Sequence, residues 1–577
     1  MKLSLTILFL ASLSALAEDI SVVIEPRWQG KAICLGGCVL TNDVGQSLSV
    51  TRLDFLVSDI ELCGGDGAWV SAGKQFAFIS FGEKRTRFTI SGVPAERYDR
   101  LRFHVGLSKD LNHSDPAQHP AGHPLNPSVN GLHWGWQGGY VFFALEGHWL
   151  NSDGVGGYSY HVGTDQQLMT VTLPIEIEFN TELRVGLNVD RILSERLTEA
   201  TATTHSRAGD PLVTQLRKKV EHAFTVLGQQ TQVAVAFRQP QQVLIASNAT
   251  PFRFTMSTAF PRPALPSDNP LTEEGVDLGN RLFNETLLSI NGKQSCASCH
   301  QAVAAFADGG KPVSRGAEGN AGKRNAMPLF NLAWKSSFFW DGRADSLREQ
   351  VLMPIQDKTE MHETLTNVVR KLTKTAAYPE LFAGAFGSRR ITADAIARAL
   401  EQFLLAQTSY ASKFDRVLTG VASFTDEEQR GFELFHTEYD PRREQFGADC
   451  FHCHGGPLFQ NVAFANNGLD LHAGDAGRFD VTKSEADRGK FAVPSLRNVA
   501  LTGPYMHDGR FQTLKEVLDH YAGGVKRSAT LDPNLAKHPS GGVPLSTSDK
   551  QALIAFLKTL TDERLGNHPA IHEQAAR

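Results

Sequence analysis

The chain has 577 residues, too many for one hydrophobic core, so two or more domains are expected. Its composition is that of a globular protein, 41% hydrophobic and 21% charged, and a formal net charge of -5 gives no basis for a nucleic-acid partner. Beyond the first residues, no run reaches the roughly 18 apolar residues a membrane helix needs.

The start, MKLSLTILFLASLSALAED, reads as a secretory signal peptide over residues 1–17: Lys2, an apolar run, then Ala15, Leu16 and Ala17 before the expected cleavage. A periplasmic protein with no membrane span is therefore expected. From residue 18 to about 235, short apolar runs alternate with turns rich in Gly, Asn, Asp and Pro. SVVIEP, LDFLVSDIEL, KQFAFISF, TRFTI, RLRFHVGL, YVFFALEG, VTLPIEIEF and RVGLNV all read as strands, the pattern of an all-β sandwich. Three cysteines fall here, Cys34, Cys38 and Cys63. Two of them can pair in an oxidising compartment, and the sequence does not choose which. Within this half, HWGWQGGY (His133 to Tyr140) sets Trp134 and Trp136 two residues apart, and seven of the chain's 20 histidines fall between His104 and His161.

Residues 236–270, ending in the Pro-rich TAFPRPALPSDNP, read as a linker. After it the apolar period becomes helical. TADAIARALEQFLLAQ has Thr392 as a cap, and TDEEQRGFELF and TSDKQALIAFLKTL begin the same way. This half also repeats itself. Leu282-Phe283 precedes CASCH as Leu434-Phe435 precedes CFHCH, and WDGRADSLREQV downstream matches HDGRFQTLKEVL. Two mainly helical lobes follow, residues 271–425 and 426–565, with a tail over 566–577.

CxxCH is the spacing of a covalent haem c site: two thiols bond the haem vinyl groups and the adjacent imidazole reaches the iron. Cys296, Cys299 and His300 form one such set, and Cys450, Cys453 and His454 the other. A structural zinc would need further close ligands, which are absent. The sixth ligand decides what each haem does, since two strong protein ligands suit electron transfer and an open face suits peroxide. The segment QAVAAFADGGKPVSRGAEGNAGKRN after His300 holds neither His nor Met, so the first haem is expected to be open. In TLKEVLDHY, Leu514, Val517, Leu518 and Tyr521 share a helix face, which aims Tyr521 at the second haem as an axial phenolate; Met506 in PYMHDGR is the alternative ligand.

DNPLTEEGVDLGNRLF…SCASCH, FFWDGRADSLREQ, MPIQDKTEM, VPSLRNVALTGPYMHDGRF and LKEVLDHYAGG resemble the bacterial di-haem cytochrome c peroxidases, most closely their MauG-like branch, over residues 265 to 565. The resemblance implies a peroxidase fold of two cytochrome c lobes. It makes Trp340 an electron relay between the haems, and Glu360, Gln350 and Pro354 the distal pocket of the haem that meets hydrogen peroxide. It makes Asn325, Thr502 and Pro504 ligands of a calcium ion. Ordinary members close the peroxide haem with a distal His until reduced. None is available here, and Tyr521 stands where many of them use Met; both departures resemble MauG, which oxidises residues of another protein.

LSKDLNHSDPAQHPAGHPLNP, HWGWQGGYVFFALEG and YSYHVGTD, within residues 20 to 230, are similar to MbnP, a periplasmic copper-associated family. The partner of MbnP, MbnH, is a MauG-like di-haem enzyme that converts an MbnP tryptophan to kynurenine. The resemblance implies enzyme and substrate fused in one chain, with the chain's own or a neighbouring MbnP-like domain as the target. Trp136 is the first expected site of oxidation and Trp134 the second. His123 and His161 are the expected copper ligands, with His133 and His104 behind them. The other expectation is a plain peroxidase fed by a small cytochrome or cupredoxin, with the N-terminal domain serving docking or copper binding.

Overall fold

The computed structural model describes residues 17–36, 39–94, 97–134, 139–151, 154–176, 181–206, 209–231, 243–539 and 541–565. The expected signal peptide, apart from Ala17, and the expected tail lie outside them, as do Trp136 and Cys38. Cys34 and Cys63 are both free thiols.

The N-terminal strands include β1 (Ala17–Trp28), β2 (Ser47–Gly64), β3 (Ala77–Ser80), β4 (Arg87–Pro94), β5 (Tyr98–Val105), β6 (His133–Trp134), β7 (Gly139–Asn151), β8 (Gly154–Gly163), β9 (Met169–Pro174), β10 (Thr181–Asn188), β11 (Thr203–Thr204) and β12 (Phe224–Thr231). They build two sheets. The larger runs β9-β5-β2-β7-β8-β11, and the smaller runs β12-β10-β1 with β4 paired to β1. Alternation sets which face is buried: Met169, Val171 and Leu173 of β9 point inward while Thr170, Thr172 and Pro174 face out. The inner faces meet through aromatic edges. Phe224 lies 5.9 Å from Phe55 and 5.5 Å from Phe103, and Phe88 lies 6.3 Å from Phe103. The expected all-β sandwich is what forms, with α1 (Pro211–Glu221) added.

The second half holds two lobes with separate cores. In the first, α2 (Glu273–Phe283) crosses α3 (Ala393–Ala406); in the second, α4 (Asp426–His436) crosses α6 (Thr547–Lys558), with α5 (Leu514–Asp519) alongside. Each crossing depends on one glycine. A Cβ on Gly279 would meet Ala399 O at 2.0 Å, and a Cβ on Gly431 would meet Ala552 O at 2.0 Å. Both glycines stand four residues before the phenylalanine of the repeated Leu-Phe pair, so the repeat is structural as well as sequential.

Three details differ from the sequence reading. The cap of α6 is Ser546, not Thr547, in a reciprocal box with Asp549. Tyr521 does not continue α5 but sits in a π-turn, His520–Gly524, so its direction comes from the bulge and not from a simple helical repeat. Residues 243–270 are no free tether. Phe260 is fully buried in the first lobe's core, and Pro261 O accepts from Trp334 Nε1 at 2.7 Å.

The sandwich and the second lobe touch directly. Gly157 of β8 approaches Pro533 so closely that a Cβ would lie 2.1 Å from its carbonyl oxygen. Arg527 donates to Val155 O at 2.8 Å, Arg442 donates to Thr203 O at 2.8 Å, and Asn534 donates to Glu146 at 3.3 Å.

Candidate active site

Both CxxCH sets are built alike. Cys296–Ser298 and Cys450–His452 form single 3-10 turns, and none of the four cysteines is in a disulfide. In each, the imidazole Nδ1 is engaged by a backbone carbonyl: His300 with Phe306 O at 2.8 Å, His454 with Pro494 O at 3.1 Å. That bond sets the ring and leaves Nε2 as the ligating atom. Burial lowers both imidazoles, His454 to about 4, which keeps them in the neutral form that ligation requires.

Beside the first set lies a cavity of about 1050 Å³ lined by Cys296, Cys299, His300, Trp340, Gln350, Pro354 and Glu360. The structure thus brings together every residue expected in the peroxide pocket. A cleft with two thiols and an imidazole on one wall fits a haem bonded covalently at that wall. Burial, reinforced by Asp357 and opposed by Arg343, raises the Glu360 carboxyl to about 7. Gly316 lets its loop press on this acid, since a Cβ there would meet Thr359 O at 2.2 Å. The indole of Trp340 is buried and donates to Asn325 O at 2.9 Å. Lys335 also lines the cavity, its ammonium drawn down to about 8 by desolvation. Nothing in its sequence neighbourhood signals that position.

At the second set, Asn467 donates toward both expected axial candidates, to Met506 Sδ at 3.2 Å and to Tyr521 Oη at 3.5 Å. Both side chains therefore share one neighbourhood, with Tyr521 also within electrostatic reach of Cys453 and Cys450. Burial raises the Tyr521 phenol above its ordinary range, so a phenolate there requires a cation at its oxygen. Asn325 and Pro504 are buried; Thr502 donates to Val499 O at 3.4 Å.

The expected copper ligands separate. His123 stacks on His119 at 4.8 Å, and its Nδ1 accepts from Leu125 N. His104 meets Asp59 at 3.1 Å. His161 instead joins His205 and His452, neither of which the sequence singled out. For Trp134 the backbone is described: it pairs with Gly139, and His133 before it pairs with Tyr140. His133, pulled down to about 4 by burial, lines a second cavity of about 100 Å³ together with His161 and His452.

A family model described as di-haem cytochrome c peroxidase matches residues 273–423. The methylamine utilization protein MauG of Methylorubrum extorquens is 37% identical over 328 residues, 56% of this chain and 86% of that protein. The chain belongs to the di-haem cytochrome c peroxidase family. As a member it is a di-haem oxidoreductase with two haem c groups. Another member, the cytochrome c551 peroxidase of Pseudomonas aeruginosa, is 32% identical over 305 residues, 51% of this chain and 81% of that protein. Among solved structures, a MauG-like protein associated with microbial copper homeostasis is 34% identical, covers 56% of this chain and 99% of its own, and superposes with a TM-score of 0.50. The sandwich preceding the peroxidase lobes is an MbnP domain, its family model matching residues 17–207. No helix among the described residues is long and apolar enough to cross a membrane.

Proposed function

We propose that this di-haem peroxidase works in the periplasm and uses hydrogen peroxide to oxidise a tryptophan of its own MbnP domain, Trp136 first and Trp134 second, towards kynurenine. The oxidised domain then holds copper. One observation carries this reading. His133, the residue before Trp134, lines the same cavity as His452, which lies between the two cysteines of the second haem set. The base of the tryptophan hairpin is therefore seated against the lobe that would draw electrons from it. Gly131 makes the same contact, its Cβ position 3.5 Å from Asn461 of that lobe.

When bound, the two haems supply peroxide activation and storage of oxidising equivalents. The chain's own groups do the rest. Glu360, poised near neutrality, accepts and returns the peroxide proton, while Gln350 and Pro354 shape the pocket. The buried indole of Trp340 passes electrons between lobes. Tyr521, in preference to Met506, would ligate the second haem iron, supplying an anionic oxygen that favours the oxidised metal. Asn325, Thr502 and Pro504 would hold a calcium ion, which would tie the lobes together. The Asn325 amide lies 3.3 and 3.1 Å from the carbonyl oxygens of Lys311 and Pro312, and exchanging its N and O would turn that contact into an all-oxygen donor set.

The stoichiometry balances. Two peroxides deliver two oxygen atoms to one indole, opening its pyrrole ring to N-formylkynurenine, and leave as two waters; hydrolysis then releases formate and kynurenine. Peptide mass analysis of the peroxide-treated holoprotein tests the reading. A gain of two oxygens, or the later loss of formyl, on the peptide carrying Trp134 and Trp136 is expected. An unmodified peptide with rapid peroxide turnover by a small cytochrome or cupredoxin donor would establish the plain peroxidase instead.

A further inference from the structure

Three imidazoles from distant parts of the chain meet where the MbnP domain touches the second lobe. His161 comes from β8, His205 from the residue after β11, and His452 from the middle of CFHCH. Each can offer one ring nitrogen, and those nitrogens lie within 4.8 Å of one another. The ring centroids are 4.7 Å apart for His161 and His205, 4.6 Å for His205 and His452, and 5.5 Å for His161 and His452. We propose that these three side chains form a metal site completed only by docking of the two domains, and that it takes a d10 cation suited to imidazole, copper(I) or zinc(II).

A second observation lies behind the rings. Each imidazole has a buried carboxylate at one nitrogen. Glu146 Oε1 is 2.8 Å from His161 Nε2, Glu438 Oε1 pairs with His205 Nδ1, and Asp449 Oδ1 is 3.4 Å from His452 Nε2. A carboxylate in that place sets the tautomer and orientation of a ligating histidine and strengthens it as a donor. The opposite nitrogens, His161 Nδ1, His205 Nε2 and His452 Nδ1, are then the ligand atoms. Packing alone would not call for this arrangement, because each buried carboxylate carries a desolvation cost. The local charges also leave room for a cation. Arg52 faces Glu146 at 3.0 Å, and Lys537 lies 3.0 Å from Asp449, 3.6 Å from Glu438 and 3.4 Å from His452 Nε2, with His538 3.1 Å from Asp449. Two permanent cations thus face three carboxylates.

The geometry needs only a small adjustment. Donors around a metal–nitrogen bond of about 2.0–2.1 Å sit roughly 3.4 Å apart, so the rings must close by up to about 1.4 Å. The set contains neither thiolate nor direct carboxylate, which disfavours magnesium, calcium and manganese. Copper(I) accepts three nitrogens alone; zinc(II) would add a water from the adjoining cavity. Since His452 lies between Cys450 and Cys453, the ion would fasten the MbnP domain to the attachment loop of the second haem. The site requires no oxidised tryptophan.

The test uses the full-length protein with both haems in place and never exposed to peroxide, so its failure leaves the tryptophan reading untouched. Chelator-treated protein is titrated with copper(I) or zinc(II) alone against a chromophoric competitor. One equivalent of one ion should bind, raise the melting temperature, and show three imidazole nitrogens by X-ray absorption. Affinity should fall at least about 100-fold in His205→Gln and in His452→Gln and stay unchanged in His472→Gln. Should the variants misfold, the absorption spectrum of the wild-type protein decides alone. Binding of neither ion, fewer than three imidazoles, or loss of the ion in His123→Gln but not in His205→Gln overturns the proposal.

Discussion

Trp340 and His507 hold matching places in the two copies of the repeated unit, and both are tied to the same residue. Trp340 Nε1 donates to Asn325 O at 2.9 Å, and Asn325 N donates to His507 O at 2.7 Å. His507 in turn stacks on Phe491, ring centroids 3.7 Å apart. The two lobes are thus joined through one amino acid with an indole on one side. Trp340→Phe keeps most of the buried bulk but removes the donor and the indole. It should cost about 1–2 kcal/mol for the unpaired carbonyl. Peroxide-driven change at Trp134 and Trp136 should slow at least tenfold, with both haems still attached. Mass analysis of that peptide over time, beside a haem stain, reads both effects; an unchanged rate removes Trp340 from the path.

Glu360 predicts a pH limb. Its carboxyl is raised to about 7, chiefly by burial, and only the ionised form can accept a proton. Activity should therefore rise with pH through about 7 and level off above it. In Glu360→Gln the limb should vanish along with about 10²–10⁴-fold of the rate. A variant that keeps the limb would assign it to another group, and Lys335, drawn down to about 8 in the same cavity, is the nearest alternative.

Tyr521 and Met506 both neighbour Asn467, and replacing each in turn separates them. If the phenol oxygen is the axial donor, Tyr521→Phe should change the spectrum of one haem and raise its reduction potential, because a neutral donor stabilises oxidised iron less well. Met506→Leu should leave both nearly as they were. The reverse pattern would assign the methionine.

How far the sequence carried these conclusions depends on the range of each signal. Strand alternation and the CxxCH spacing act over a few residues, and both are legible directly. The repeat is legible because Gly279 and Gly431 precede matching Leu-Phe pairs, although their purpose, close approach to Ala399 and Ala552, needs the helix crossing to be seen. The π-turn at Tyr521 imitates a helical pattern over nine residues and so escaped notice. The linker reading followed proline content and passed over Phe260, the residue that anchors it. His205 stands in a segment of threonines with no motif, and His452 is hidden inside one, read only for its cysteines. Their meeting with His161 is a property of domain docking, for which a single sequence holds no local signal.

The glycine pair makes a stability prediction. Gly279→Ala and Gly431→Ala each place a methyl about 2.0 Å from a backbone oxygen, which the crossing helices can relieve only by separating. Each should cost about 1–3 kcal/mol. Calorimetry of the holoprotein should show the first variant lowering the transition of one lobe and the second that of the other. Equal effects on a single common transition would mean that the two lobes unfold together.

Glu146 links stability to acid at the domain contact. A bulge between Glu146 and Gly147 interrupts the pairing of β7 with β2, and the carboxylate there meets Arg52 at 3.0 Å, His161 at 2.8 Å and Asn534 of the second lobe at 3.3 Å. Burial opposes its ionisation, but Arg52 and His161 prevail and hold it well below the ordinary value of 4.5. A carboxyl depressed in the folded state binds fewer protons there than in the unfolded chain. Its stabilisation is therefore fully present above about pH 4.5 and given up as the pH falls below it. Denaturant titrations should show the wild type losing stability over that acid range. Glu146→Gln should be less stable at neutral pH by about 3–5 kcal/mol, because Arg52 keeps its charge without this partner. Its acid loss should also be shallower. A variant as stable as the wild type at neutral pH would mean that Asp54, which also pairs with Arg52 at 2.6 Å, is sufficient by itself.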